Sequence, residues 1–166
     1  MGTILYLMVL ITMVCVASAG MAQNNNSLSV TNRSSSAFNL SAINRAGKAA
    51  EMLLDNSQWI NYSINAEPTE PYRSISASIT SGQIPPGVEV YLEASHYHGP
   101  SSGKSGKPTG KIKLGNVPNI LIDEIGECNT GNGKFHGHKL TLSVVVTDYG
   151  QLHTGDFNLY IQYTIN

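Results

Sequence analysis

The sequence predicts an all-β fold, an antiparallel two-sheet sandwich with room for one short helix. Three observations carry the expectation. Apolar and polar residues alternate with period two along most of the chain. Successive strand side chains point to opposite faces, so such a stretch puts one face on a core and the other toward solvent. Clusters of Gly, Pro, Asn and Asp separate the alternating stretches. Charge is sparse and balanced, 10 basic against 11 acidic residues in a chain of 166. Antiparallel sheets wear alternating patterns, whereas parallel sheets show continuous apolar runs. The charge balance leaves no basic stripe, which argues against nucleic acid as a partner.

The elements follow in order. Leu28 and Val30 alternate with serines, then Phe38, Leu40 and Ala42, then Ile60, Tyr62 and Ile64. Ile75, Ala77 and Ile79 form the next set, followed by Val88, Val90, Leu92 and Ala94, and by Leu140, Leu142, Val144 and Val146. The clearest is Phe157, Leu159, Ile161, Tyr163 and Ile165, set against Asn158, Tyr160, Gln162, Thr164 and Asn166. Shorter strands are expected at Lys111 to Leu114 and Asn119 to Ile122. The turn Ser81 to Gly87 holds two prolines, and Gly99 to Gly110 and Gly126 to Gly137 read as loops. Asp148-Tyr149-Gly150 and Thr154-Gly155-Asp156 read as tight turns. Residues 44–54 carry good helix formers, with Ile43, Ala46, Ala50 and Leu53 spaced for one face. A short helix there would need the sandwich to dock on.

The first 22 residues give an address. Met1 to Ala22 has no charged side chain, and the apolar stretch Ile4 to Ala19 ends in Ala17-Ser18-Ala19, with a second small-residue site at Gly20-Met21-Ala22. This predicts a secretory signal at 1–22 and one mature domain at 23–166, secreted, periplasmic or at the cell surface. The stretch is short for a membrane span, so none is expected after cleavage. Val14 before Cys15 argues against lipidation. The mature chain then keeps Cys128 alone, which excludes an intrachain disulfide and predicts a buried, inert thiol.

Candidate chemistry is thin. His96-Tyr97-His98 and His136-Gly137-His138 each place two imidazoles two residues apart. Brought together, with Cys128 as a further ligand, these histidines could hold zinc or copper. The rival reading has them as polar residues apart on separate loops. No established spacing motif is matched, so neither metal nor other cofactor is expected. Asp123 and Glu124 are adjacent, and Glu89 and Glu93 share a strand face with Tyr91. Neither pair presents two facing carboxylates. No nucleophile elbow, phosphate loop or His-Glu-x-x-His helix is present. The expectation is therefore a structural or binding role rather than an enzyme. Trp59 reads as a core cap. Tyr91, Tyr97, Tyr149 and Tyr160 would form a carbohydrate platform if they shared a face. Sequons fall at Asn25, Asn32, Asn39 and Asn61 and matter only in a glycosylating host.

The ending Phe157 to Asn166, with Tyr163 near the terminus, resembles the last strand of exported pilin-like proteins, including chaperone–usher pilins and spore-coat-protein-U-like domains. Leu28 to Thr31, behind an Asn/Ser-rich lead, is similar to their N-terminal donor segment. The resemblance implies an immunoglobulin-like sandwich and pairing with a second copy or a related subunit along strand edges. Leu28, Val30, Phe157, Leu159, Ile161, Tyr163 and Ile165 are the residues it assigns to that pairing. The chain departs from pilins in lacking a disulfide pair. A secreted carbohydrate- or surface-binding module is the alternative.

Overall fold

A computed structural model describes residues 26–31, 51–100, 102–151 and 158–166, with main chain only at 51–54. The described residues are all-β. Ten antiparallel strands form one open sheet system, and no described segment is an α-helix. The strands are β1 (Ser27–Thr31), β2 (Glu51–Asp55), β3 (Trp59–Ile64), β4 (Arg73–Ser81), β5 (Val88–His98), β6 (Ser102–Pro108), β7 (Ile112–Lys113), β8 (Asn119–Asn129), β9 (Gly137–Val146) and β10 (Tyr160–Ile165). The path runs β10-β4-β8-β3-β9-β5-β7, with β1 on β3, β2 on β9 and β6 on β8.

The alternation works as packing. Ile60, Ile75, Val90, Leu121, Ile122, Ile125 and Val144 are fully buried, and Leu28, Val30, Leu159, Ile161, Tyr163 and Ile165 pack half-buried against them. Each fully buried aliphatic side chain contributes roughly 1.5–3 kcal/mol relative to exposure. β3 is the hub. Its start pairs with β9 (Trp59↔Lys139, Ile60↔His138) and its end with β8 (Ser63↔Asn129, Ile64↔Cys128), while β1 covers its other side. Close approaches at Gly137 and Gly103 require glycine. A Cβ on Gly137 (φ +77) would lie 2.1 Å from the Ile60 carbonyl oxygen, and one on Gly103 (φ +89) would lie 2.0 Å from that of Glu127.

Several expectations are corrected. Glu51 to Leu54, the end of the segment with helix-forming composition, is strand, because β2 pairs with β9 from Glu51↔Val145 onward. Ladder pairing outweighs helix propensity there. Residues 44–50 lie outside the described residues. The expected loop Gly99 to Gly110 contains β6, whose glycines allow close pairing with β8 through a bulge between Gly103 and Ser105. The expected loop Gly126 to Gly137 is shorter, since β8 continues to Asn129 and β9 begins at Gly137. Asp148 to Gly150 falls at a 3-10 turn, Tyr149–Gln151. Asn61, expected as a sequon, is 1% exposed and beyond the reach of a glycan in the folded chain. The segment 1–22, the expected strand Phe38 to Ala42, Phe157, the turn Thr154 to Asp156 and the sequons Asn25, Asn32 and Asn39 lie outside the described residues. No described helix is long and apolar enough to cross a membrane.

Candidate functional site

Two places hold chemistry or an open pairing surface. The first is inside. Extending the period-two alternation of β9 back from Leu140 puts His138 on the core face, and the structure buries it completely. Its Nδ1 lies 2.8 Å from the Ser95 carbonyl oxygen, and its Nε2 lies 2.8 Å from the Tyr62 hydroxyl and 3.2 Å from the Ser105 carbonyl oxygen. The Tyr62 hydroxyl also donates to Ser105. The Tyr62 and His138 rings stack at 5.9 Å, and Tyr97 meets the imidazole edge-on at 5.8 Å. A bulge in β5 between Ala94 and Tyr97 turns the Ser95 carbonyl inward, and the Ser95 hydroxyl accepts from the Lys139 N–H. Burial lowers the His138 pKa below its ordinary value, against the opposing effect of hydrogen bonds that the Ser95 and Ser105 carbonyls accept. Burial likewise raises the Tyr62 phenol far above its usual range. The ring is thus neutral at pH 7, and so is the phenol.

The histidine pairs stand differently from the separate-loop expectation. Tyr97 lies opposite His138, and His98 opposite Gly137, on adjacent strands. The two pairs are neighbours, and His138 belongs to the core rather than a rim. His96 and His98 are exposed, while His136 is half-buried just before β9. His98 meets Trp59 edge-on at 5.6 Å, as does Phe135. Among the described residues, no group of three or more His, Cys, Asp or Glu is arranged to hold a metal ion. Cys128 is a free thiol, 4% exposed, and burial pushes its pKa up to about 11. A thiol with so little thiolate is a poor nucleophile. The tyrosine platform does not form from Tyr91, Tyr97 and Tyr160. Tyr97 contacts His138, Tyr91 hydrogen-bonds Glu89 at 2.6 Å, and Tyr160 lies on β10 at the other end of the strand order.

The second place is the edge at β10. Among the described strands β10 pairs with β4 alone, from Ile161↔Ile79 to Ile165↔Ile75. Asn166 and Ser74 exchange both main-chain hydrogen bonds. Antiparallel pairs alternate, so Thr164 and Gln162 also bond toward β4, while the main-chain groups of Ile161 and Ile165 point to the outer edge. Leu159, Ile161, Tyr163 and Ile165 turn half-buried side chains to the core, and Tyr160 is 65% exposed. Toward the other end of the chain, Leu28 and Val30 pair with Tyr62 and Ile60 and pack at home. A groove of about 520 Å³ lies where β3 and β6 flank β8, lined by Ser63, Asn65, Ser102, Glu127, Cys128 and Asn129 among others.

Sequence reasoning placed Tyr62 on a core face but read His138 as a ligand or loop residue. The signal that finds it is its spacing of two from Leu140. No protein-family model, no curated protein and no solved structure matches the chain.

Proposed function

We propose that this chain is an exported structural or adhesive protein, an immunoglobulin-like two-sheet sandwich that associates with a second copy or a related subunit through a strand edge. The observation that carries this reading is the edge of β10, which among the described strands has no partner on its outer side. It offers outward main-chain groups at Ile161 and Ile165 beside apolar side chains at alternate positions. An added strand gains affinity from main-chain hydrogen bonds and specificity from alternate side-chain pockets. Charged residues and prolines, which commonly blunt exposed edges, are missing from Tyr160 to Asn166. Two bonding faces are available on the strand system, split by the branch of β3 between β9 and β8, and this supports the two-sheet arrangement. The apolar stretch Ile4 to Ala19 supports export.

Ile165→Pro removes one outward N–H while leaving the β4 ladder intact, and Ile165→Ala controls for lost packing. Sedimentation velocity on the chain from 23 to 166 should show self-association, or association with a related subunit, that the proline variant weakens and the alanine variant retains. A chain that stays monomeric at every concentration and captures no related subunit overturns the reading.

A carbohydrate-binding role is the second reading, favoured by the neutral polar lining of the groove at Ser63, Asn65, Ser102 and Asn129. Soluble glycans shifting amide resonances of those residues, and leaving β10 unmoved, would select it.

A further inference from the structure

We propose that the Tyr62–His138 pair is an acid-sensitive latch that ties β6 to the strands around it and releases Cys128 when it opens. The argument starts from counting protons. A neutral imidazole has one N–H, yet both ring nitrogens of His138 face carbonyl oxygens, Ser95 at 2.8 Å and Ser105 at 3.2 Å. With Nδ1–H donating to Ser95, Nε2 is left as an acceptor for the Tyr62 hydroxyl, 2.8 Å away. That same hydroxyl is the donor the Ser105 carbonyl also meets. At the ring, two donors, one imidazole N–H and the Tyr62 O–H, face three acceptors, the Ser95 and Ser105 carbonyls and the second ring nitrogen. A second proton on the ring would bring a charge into the core, which burial opposes.

Groups packed around the ring add no counter-charge. β5 contributes His96, His98 and Tyr97, and the two histidines act against a positive ring. β3 contributes the neutral Tyr62, and β8 contributes Cys128, whose thiol is protonated at neutral pH. β6 contributes only the Ser105 carbonyl, because Lys104 and Lys107 face Glu124. On β9 itself, His136 and Lys139 flank the ring. A proton arriving on His138 therefore finds a better place once the ring reaches water.

Of the described strands that meet the ring, only β6 has a single ladder partner. That partner is β8, and β6 carries the Ser105 carbonyl that the latch holds. Gly103 of β6 lies beside Cys128 in the β6–β8 ladder, and both line the adjoining groove. Opening this seam uncovers the thiol and widens the adjoining groove. The sign follows from linkage. A base with a depressed folded pKa leaves stability intact above the ordinary histidine value of about 6.5 and favours opening as pH falls below it.

The test is labelling of Cys128 by 4,4′-dithiodipyridine, which reacts in acid, in the full chain, with peptide mass mapping to separate Cys128 from Cys15. Each rate is normalised to that of the urea-unfolded chain at the same pH. The normalised rate should change by less than about twofold from pH 7.5 to 6.5 and rise severalfold by pH 5.0, under a ceiling of about 30-fold for a single proton. His138→Gln, which cannot titrate, should abolish the rise. A flat profile in the parent, or an equal rise in the variant, overturns the proposal. Should the variant fail to fold, an NMR titration of the His138 ring in the parent decides. A midpoint below 6.5 supports the latch, and one at or above 6.5 overturns it.

Discussion

β3 and β10 are written almost alike. Trp59-Ile60-Asn61-Tyr62-Ser63-Ile64 and Tyr160-Ile161-Gln162-Tyr163-Thr164-Ile165 match in kind at every position: aromatic, isoleucine, carboxamide, tyrosine, hydroxyl, isoleucine. Their fates differ. β3 is buried on both faces save for Ser63, while β10 alternates exposed and half-buried throughout. Asn61 is 1% exposed and grips the turn before β9, donating to the His136 carbonyl at 2.7 Å, while Gln162 faces solvent. The difference lies in neighbours. Among the described strands, β3 is flanked by β1 on one side and by β9 and β8 on the other, while β10 pairs with β4 alone. An alternating pattern sets which side chains share a face. The strand's place in the sheet decides how deeply each face is buried.

The largest expected effect lies where β3 meets β9. Gly137→Ala places a Cβ 2.1 Å from the Ile60 carbonyl oxygen at a φ of +77. Left-handed strain and overpacking each cost roughly 1–3 kcal/mol, so the variant should lose about 4 kcal/mol or fail to fold. Gly133→Ala is the matched control: its φ is +92, but nothing lies within 4 Å. It should cost only the left-handed term, about 1–2 kcal/mol. Urea denaturation reads both. Equal losses would show that conformation, and not the crowding of β3, makes Gly137 necessary.

The next effects compare the twin strands directly. Ile60 is fully buried, so Ile60→Ala should cost about 4 kcal/mol, whereas half-buried Ile161→Ala should cost about 1–2. Asn61→Ala strips the His136 carbonyl of its 2.7 Å partner and should cost about 1–3 kcal/mol. Gln162→Ala, on an exposed surface, should stay within about 0.5 kcal/mol. Thermal unfolding of the four variants side by side decides the matter. If Ile161→Ala matches Ile60→Ala in monomeric protein, β10 is not the weakly held edge that the pairing proposal needs.

The same contrast explains what was legible in the sequence. Period two located β4, β5, β9 and β10, because their apolar residues bury one face and the pattern records it. It could not tell β3 from β10, since flanking strands far apart in sequence supply the second buried face. β6 was illegible for a different reason. Ser-Gly-Lys-Ser-Gly-Lys-Pro has no apolar residue before its proline, and its strand conformation comes from β8, against which Gly103 and Gly106 pack. β2 shows the limit of propensity, since Glu-Met-Leu-Leu reads as helix until β9 lies beside it. At the buried polar cluster, Tyr62 was legible through the alternation. His138 was obscured because a His-x-His spacing draws attention to ligation before packing. The inward Ser95 carbonyl depends on a bulge, and no residue pattern in β5 announces it.

The smallest effect concerns the sheet's opposite margin, where β7 covers β5. Lys113 Nζ lies 2.6 Å from Glu89 Oε1, and the Tyr91 hydroxyl donates to Glu89 Oε2 at 2.6 Å. These hydrogen bonds, Lys113 first, hold the Glu89 carboxyl below its usual pKa. A carboxylate with a depressed folded pKa contributes stability above its unfolded value near 4.5, and loses it as pH falls through the folded value. The pair is open to solvent, where screening and side-chain entropy leave such bridges weak. Glu89→Gln should therefore lower the melting temperature slightly at pH 7. Salt should narrow the gap at that pH, because exposed charges are screened. The gap should close in acid, once the parent's carboxyl is protonated. A gap that persists unchanged at pH 3 would mean that Glu89 acts through neutral hydrogen bonds to Tyr91. In that case the β7 margin is held by packing and main-chain pairing, as β10 is held on β4.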